Sequence, residues 1–303
     1  MSPAPGGLDT FERERARLTG LAYRITGSLV DAEDVVQETW IRWAAQDTAA
    51  VDNPAGWLTT VSSRLAIDHL RAQRRRREVY AGPWLPDPVR TARDPEEAAE
   101  LADSLTLGFL VLLDSLGPYE RVALLLGDVF GEPYPAIAKI LGKSEPACRQ
   151  LVSRARRKLH SARPGAGAPP PSPASAELLG QLMYSVLAGD EERTLSLLHP
   201  DVVLISDAGP ARHAARRPIA GAEQVGRLLK VTWQRFGFKI RSSPDERLPA
   251  RLLEVNSSPS LVLDSPEGPI VITGEASGGQ ITSLWVRLNP DKTAALEDRP
   301  PVV

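Results

Sequence analysis

The side chains best placed to do chemistry in this 303-residue chain are arginines, and they come in two runs. Arg71, Arg74, Arg75, Arg76 and Arg77 crowd a seven-residue window, and Arg149 to Arg163 holds six Lys/Arg with no acid. Guanidinium groups at that density attract phosphate without reading base sequence. Trp57 precedes the first run, with Ser62, Ser63, Arg64, Asp68 and His69 between them, and an exposed indole can stack on an unpaired base. The plainer readings are core packing for Trp57 and a solubilising helix end for the arginines. A third segment has the opposite sign: Gly27 to Glu38 carries Asp31, Glu33, Asp34 and Glu38 and no base. Acids beside a phosphate-seeking block repel DNA, so they are expected to face a basic protein partner or simply solvent.

Helices must position these groups. Residues 134–159 read as a short helix, a turn at Leu141-Gly142-Lys143-Ser144, and a second helix capped by Ser144 with Pro146 in its first turn. Cys148, Leu151, Val152, Ala155 and Leu159 form an apolar stripe, and Arg149, Ser153, Arg156 and Arg157 lie opposite. An apolar back and a basic front suit a recognition helix that packs on a scaffold and enters a major groove. Upstream, Leu18, Leu21, Ala22 and Ile25 keep helical spacing, as do Val35, Val36, Thr39, Trp40 and Trp43. Asn53-Pro54 supplies a cap and an N1 proline to a helix running through Trp57, Leu58, Val61, Leu65, Ile67 and Leu70. Further helical stretches run from Leu101 to Leu116 and from Val122 to Phe130, separated by Gly117-Pro118.

Two Pro-rich breaks divide the chain, at residues 79–95 around Trp84-Leu85-Pro86-Asp87-Pro88 and at residues 163–175, a semi-extended tether. The expected units are 9–78, 96–162 and 176–295. In the last, helices at Ala176–Ala188 and Gly221–Trp233 accompany β-like runs at Val202–Ile205, Phe236–Arg241, Leu252–Val255, Ser260–Asp264, Ile270–Glu275 and Ile281–Leu288. Residues 264–269 and 277–279 read as hairpin turns. This predicts an α+β domain with a curved antiparallel sheet.

Composition sets the bounds. One cysteine excludes a disulfide scaffold and any Cys-based zinc finger, and fits a reducing cytoplasm. No apolar run approaches the roughly 20 residues of a bilayer span, and the first residues lack a secretory pattern. The net charge of −2 hides its distribution: residues 1–174 hold 22 bases and 22 acids in opposed patches.

The segment Gly27 to Trp40 resembles the core-polymerase-binding helix of bacterial sigma factors. Asn53 through Arg71 is similar to their promoter-melting segment, and 134–159 to their domain-four helix-turn-helix. The resemblance implies an alternative sigma factor of the extracytoplasmic-function type: two all-α domains, a helical bundle and a helix-turn-helix. Core RNA polymerase would be met by Asp31, Glu33, Asp34, Val35, Gln37, Glu38 and Trp40. Asn53, Trp57, Ser62, Arg64, Asp68, Arg71, Arg74 and Arg75 would face the minus-10 promoter DNA. Ser144, Glu145, Arg149, Ser153, Arg154, Arg156 and Arg157 would face the minus-35 element. The third block resembles the SnoaL-like, nuclear-transport-factor-2-like cone domain fused to one group of these factors (SigJ-type). Trp84, Leu85, Pro86, Asp87 and Pro88 are similar to that group's linker motif, with Asp for the usual Glu. Asn289, Pro290, Asp291 and Lys292 are similar to its C-terminal motif. Where the group has a glycine-rich turn after aspartate, this chain has Asp207-Ala208-Gly209-Pro210-Ala211-Arg212, and the proline removes a backbone donor.

No cofactor, metal or membrane partner is implied. Intramolecular docking of the third block is expected to hold the other two compact and to modulate activity in cis, because a short tether gives a high effective concentration. Two other classes compete. A SnoaL-like domain can be a small-molecule enzyme, with Asp207, His213 and Glu275 as acid/base groups and Trp233 and Trp285 as pocket walls. A ligand-responsive helix-turn-helix regulator would use 134–159 but leave the acidic helix and the 53–77 block idle.

Overall fold

Apolar spacing decides the helical half. In α1 (Gly7–Thr26) the residues Phe11, Leu18, Leu21, Ala22 and Ile25 are buried. Gly27 (φ +71°) turns the chain into α2 (Leu29–Ala44), where Ser28 Oγ accepts from Asp31 N at 3.3 Å. Asn53 caps α3 (Pro54–Arg77) by accepting from Gly56 N at 2.9 Å, with Pro54 in the first turn. The structure, a computed structural model, describes residues 7–78, 80, 82–91, 106–161, 172–240, 250–294 and 296. The expected helix start at Leu101 and most of the tether (163–171) lie outside these.

After the linker come α4 (Leu107–Leu113), α5 (Pro118–Leu124) with a wide π-type turn at Leu125–Val129, α6 (Tyr134–Leu141) and α7 (Glu145–Ser161). The two helical blocks do not stand apart. One buried cluster runs from Leu21, Ile25 and Val35 through Leu65 and Leu70 to Leu110, Leu124, Ile137 and Val152. Arg121, fully buried, donates to Arg24 O at 3.1 Å and to Asp114 Oδ1 at 2.8 Å, tying α5 to α1.

The C-terminal domain opens with β1 (Ser172–Pro173), α8 (Ala176–Ala188) and α9 (Glu191–Leu197), then β2 (Leu198–Asp207), β3 (Ile219–Ala220) and α10 (Ala222–Ile240). A meander follows: β4 (Ala250–Val255), β5 (Ser258–Leu263), β6 (Ile270–Ser277), β7 (Gln280–Arg287), and a closing turn of helix α11 (Pro290–Thr293). The sheet order is β3-β2-β7-β6-β5-β4, with β1 pairing β6. Leu179, Leu182, Leu197, Leu204, Val225, Ile281 and Leu284 fill the space between helices and sheet.

Two strand expectations are corrected. Residues 236–240 continue α10 instead of forming a strand. Their aromatic alternation is too short to oppose a helix already propagating from Ala222, which needs only one further hydrogen bond per residue. The sheet is also not wholly antiparallel: β2 runs parallel to β7, Leu204 opposite Leu284. A long connection through α10 and β4–β6 separates the two strands, which is what a parallel neighbour requires. No helix among the described residues is long and apolar enough to cross a membrane.

Candidate nucleic-acid interface and the hub that holds it

The recognition unit is built as its sequence spacing implies. Gly142 takes the left-handed conformation (φ 61°) that ends α6, and Ser144 Oγ accepts from Ala147 N at 3.4 Å to start α7. Cys148, Leu151, Val152 and Ala155 are buried, while Arg149, Ser153, Arg154, Arg156 and Arg157 are exposed. Most of these cations already have internal partners. Arg156 grips Asp128 with two bonds, 2.8 and 2.7 Å, which raises its pKa. Arg149 pairs with Glu145 at 3.3 Å and lies over the Tyr134 ring. Glu120 draws Lys158 to 2.7 Å and Arg154 to 3.9 Å. Burial pushes the Glu120 carboxyl upward, but Lys158 and the Gly117 N–H outweigh it and hold the pKa below the ordinary value.

Helix α3 is tied more firmly. Arg64 donates to Ile140 O (2.9 Å) and Lys139 O (2.7 Å), capping the C-terminal end of α6, where carbonyls are unsatisfied and the helix dipole is negative. Arg74 does the same for the end of α4, donating to Leu116 O and to Asp114 O. Arg77 pairs with Asp114 at 2.9 Å. Arg71, paired with exposed Asp68 at 3.5 Å, contacts the Tyr119 ring, as does Lys143 of the α6–α7 turn. Arg75 alone in the run is exposed without an ion pair among the described residues. Asn53 is exposed at the helix start, and half-buried Trp57 packs against Trp43 at 5.3 Å. Ser62 is corrected: it is fully buried, its Oγ without a hydrogen-bond partner, so it presents nothing to DNA. Its place three residues before Leu65 and four after Leu58 puts it on the core face.

The acidic helix splits by face. Glu33, Asp34 and Gln37 are exposed, flanked by Val30 and Ile41 at 57% and 54% exposure, and Glu38 pairs with Arg42 at 3.0 Å. Trp40 stacks on Phe11 at 5.0 Å. Asp31 and Val35 are corrected: both point inward. Asp31 accepts from Gln73 and from Arg76, each at 3.1 Å, and lies 3.4 Å from His69. Asp31, Asp34 and His69 bring ligand atoms within 4.8 Å of one another, but Arg76 and Gln73 already satisfy Asp31, a poor start for a metal site.

The described part of the linker is held by both the helical block and the sheet domain. Asp87 Oδ2 accepts from Leu29 N at 2.8 Å, capping α2, while the Asp87 carbonyl accepts from Tyr23 OH at 2.6 Å. Asn256 Nδ2 reaches Tyr23 OH at 2.7 Å, and its Oδ1 accepts from Arg287 at 2.6 Å. On the other side, Asp207, fully buried, accepts from Leu85 N (2.9 Å), Tyr80 OH (2.5 Å) and Lys292 Nζ (2.8 Å). Lys292 also donates to Leu85 O at 2.6 Å, and Asn289 to Tyr80 OH at 3.0 Å. The Trp84 ring is clamped between Arg77 at 3.3 Å and Lys292 at 3.8 Å. Leu85 packs with Leu107, Val111, Ile205 and Trp285, joining linker, α4 and sheet. Pro86 and Pro88 are buried beside it, and Pro290 opens α11, whose Asp291 N donates to Asn289 Oδ1. Burial raises the Asp87 and Tyr23 pKa values and lowers those of Lys292 and of Arg287, the latter to about 10.

Sequence reasoning missed Tyr23, Tyr80, Asn256 and Arg287. Arg287 left a signal, a cation interrupting the apolar run Leu284-Trp285-Val286. Asn256 left another, since Asn-Ser between two β runs suits the positive φ of 52° and 50° found there. Pro210 does no harm, because the turn works through the Asp207 carboxylate and Gly209 (φ +63°) rather than a donor at 210. The acid/base groups do not converge. Asp207 is consumed by the linker, His213 is exposed on its loop, and Trp285 packs on Leu85. Glu275 presses on α4 so closely that a Cβ at Gly108 would stand 1.8 Å from its Oε1. A cleft of about 330 Å³ between α8, α9 and α10, lined by Thr194, Leu195, Glu223 and Lys230, contains none of the five proposed enzyme residues.

Residues 10–76 match the Sigma-70 region 2 family and residues 107–159 the family Sigma-70, region 4. The chain is 39% identical over 287 residues to the ECF RNA polymerase sigma factor SigJ of Mycobacterium tuberculosis, spanning 93% of this chain and 91% of that protein. It is 32% identical over 284 residues to the probable ECF RNA polymerase sigma factor SigI of the same species, 92% of each. The crystal structure of M. tuberculosis SigJ matches with a TM-score of 0.76 at 35% identity, covering 95% of this chain and 98% of that one.

Proposed function

The chain belongs to the extracytoplasmic-function RNA polymerase sigma factors, and from that premise we propose that the state described above is its closed form, held by the C-terminal domain. As an alternative sigma factor it directs RNA polymerase to promoters. Its partners are the polymerase and promoter DNA, and it works in the cytoplasm. Glu33, Asp34, Gln37, Glu38 and Trp40, edged by Val30 and Ile41, form the polymerase-binding face of α2; an apolar rim around acids suits a basic protein surface. Asn53, Trp57, Arg64, Asp68, Arg71, Arg74 and Arg75 serve the minus-10 element. Ser144, Glu145, Arg149, Ser153, Arg154, Arg156 and Arg157 serve the minus-35 element.

The observation that carries the reading is the double use of α3. Arg64 caps α6 of the recognition unit, Arg71 lies over Tyr119 of α5 and Arg74 caps the end of α4, so three cations of the minus-10 surface are engaged by the second helical block in this state. The linker hub supports regulation in cis: Asp207, Asn289 and Lys292 clamp Tyr80, Trp84 and Leu85, the only covalent route between the two surfaces. Units 9–78, 96–162 and 176–295 then act as one body when closed and separate when polymerase binds. The C-terminal domain serves as a clamp rather than an enzyme. In-vitro transcription with core polymerase tests this by comparing the parent with Lys292→Ala. Release of the clamp raises run-off transcript at limiting polymerase; equal yields at every polymerase concentration would reject regulation in cis.

A further inference from the structure

One strongly charged surface has no part in that function. Between β2 and β3, residues 208–218 hold Arg212, His213, Arg216 and Arg217 and no acid. Arg212 is spent on holding the loop in shape: it donates to Ser265 Oγ (2.9 Å) and Gly268 O (3.0 Å) and pairs with Glu267 at 3.3 Å. Ser206 Oγ adds a second pin, donating to Ala215 O at 3.3 Å. His213, Arg216 and Arg217 are exposed and have no ion pair among the described residues. This sets them apart from the arginines of α3 and α7, most of which are paired.

The loop also has a definite address. Gly82 (φ +98°) lies against the Arg216 backbone, where a Cβ would stand 3.6 Å from its Cα. Gly82 lies five residues beyond Arg77, so the loop packs on the linker that leaves α3, whose last turns bear exposed Arg75 and Arg76, the latter sharing Asp31. Glu78, just past the end of α3, is exposed, and Asp207, at the end of β2 before the loop, is buried and paired with Lys292. Adjacent unneutralised guanidiniums on pinned backbone sum their fields and need no ordering before they meet an anion.

We propose that Arg216 and Arg217, with His213, form a phosphate-binding patch on the C-terminal domain that contacts the DNA backbone alongside the C-terminal end of α3. The C-terminal domain would then be a DNA-contacting element as well as a clamp. The idea rests on DNA being the partner of α3 and not on regulation in cis, so either can fail alone.

The test uses the full-length chain bound to core polymerase, with fluorescently labelled promoter duplex and a scrambled duplex, titrated across salt. Each phosphate that a side chain ceases to neutralise lowers the salt slope by about 0.9, so R216A/R217A should lose about tenfold less affinity than the parent between 50 and 200 mM salt. Its affinity at low salt should fall equally on both duplexes, because phosphate contacts carry no base information. R216K/R217K should keep most of the slope, which a loop damaged by substitution would not. An unchanged slope for R216A/R217A overturns the proposal. So does weakened polymerase binding with DNA binding intact, which would mark the patch as a seat for an acidic protein.

Discussion

Replacing Asp207 with asparagine removes one charge from the hub and almost no volume. Asp207 accepts across the domain boundary from Leu85 N at 2.9 Å and from Tyr80 OH at 2.5 Å. Lys292 belongs to its own domain, so that pair persists in hydrated form after undocking and is not counted. A bond to a charged acceptor is worth about 1.5–3 kcal/mol and a neutral one about 1. From the middle of the charged range, about 2.2 kcal/mol, the loss is about 1.2 at each cross-domain bond and about 2–3 kcal/mol for the two. The amide must also turn its NH₂ toward either Lys292 Nζ or Gly209 N, both of which are donors. At 1.36 kcal/mol per decade, the open fraction should rise about 30- to 150-fold. Hydrogen exchange reads this directly. Amides from 82 to 91, among them Leu85 N, Asp87 N (bonded to Gly27 O) and Thr91 N (bonded to Glu254 O), should exchange faster by that factor. Amides of β5–β7 should keep their protection, which shows that the domain still folds. Unchanged exchange across 82–91 in a folded Asp207→Asn protein would refute the hub as the clamp.

Other perturbations reach different joints. Gly27→Ala forces an L side chain to φ +71° and brings a Cβ to 3.0 Å from the Trp84 ring, so thermal denaturation should show a loss of about 1–2 kcal/mol. Arg64→Lys keeps the charge but loses the fork that spans Lys139 O and Ile140 O; denaturant titration should find it about 1 kcal/mol less stable, close to Arg64→Ala. Asp128→Asn loosens the two-bond grip on Arg156, and electrophoretic mobility shifts with minus-35 duplex should show binding tightened by about threefold as that guanidinium becomes available to phosphate. The Glu120 pKa is lowered in the folded chain, so its contribution to stability is present above the ordinary value of 4.5 and is lost as pH falls below it. Melting curves from pH 6 to pH 3 should therefore fall less steeply for Glu120→Gln than for the parent.

The helices and their caps were legible because their signals are local. Asn53 and Ser144 each sit before an apolar-periodic run, and each accepts from the backbone N–H three residues on. The linker and C-terminal motifs could be named from the chain, but their partners could not. Tyr23, Asn256 and Arg287 lie in three distant segments, and a buried polar network is defined by tertiary geometry that no spacing encodes. Residue type misled at Asp31 and Ser62: charge and hydroxyl suggested a surface, yet Arg76 made one burial tolerable, and a short side chain made the other. The parallel β2–β7 pair was hidden for a similar reason. Alternation tells which face a residue takes and says nothing of strand direction.

The hub has a consequence for how the protein is made. Trp84 and Leu85 leave the ribosome roughly two hundred residues before Lys292, an interval of roughly 10–40 s at typical synthesis rates. During that time the DNA-reading helices exist as nascent chain while the residues that strap them down have not been polymerised. Under the proposed regulation in cis, the factor would be born open and shut by a later-made segment, which would leave the newest copies in a cell the most available to polymerase.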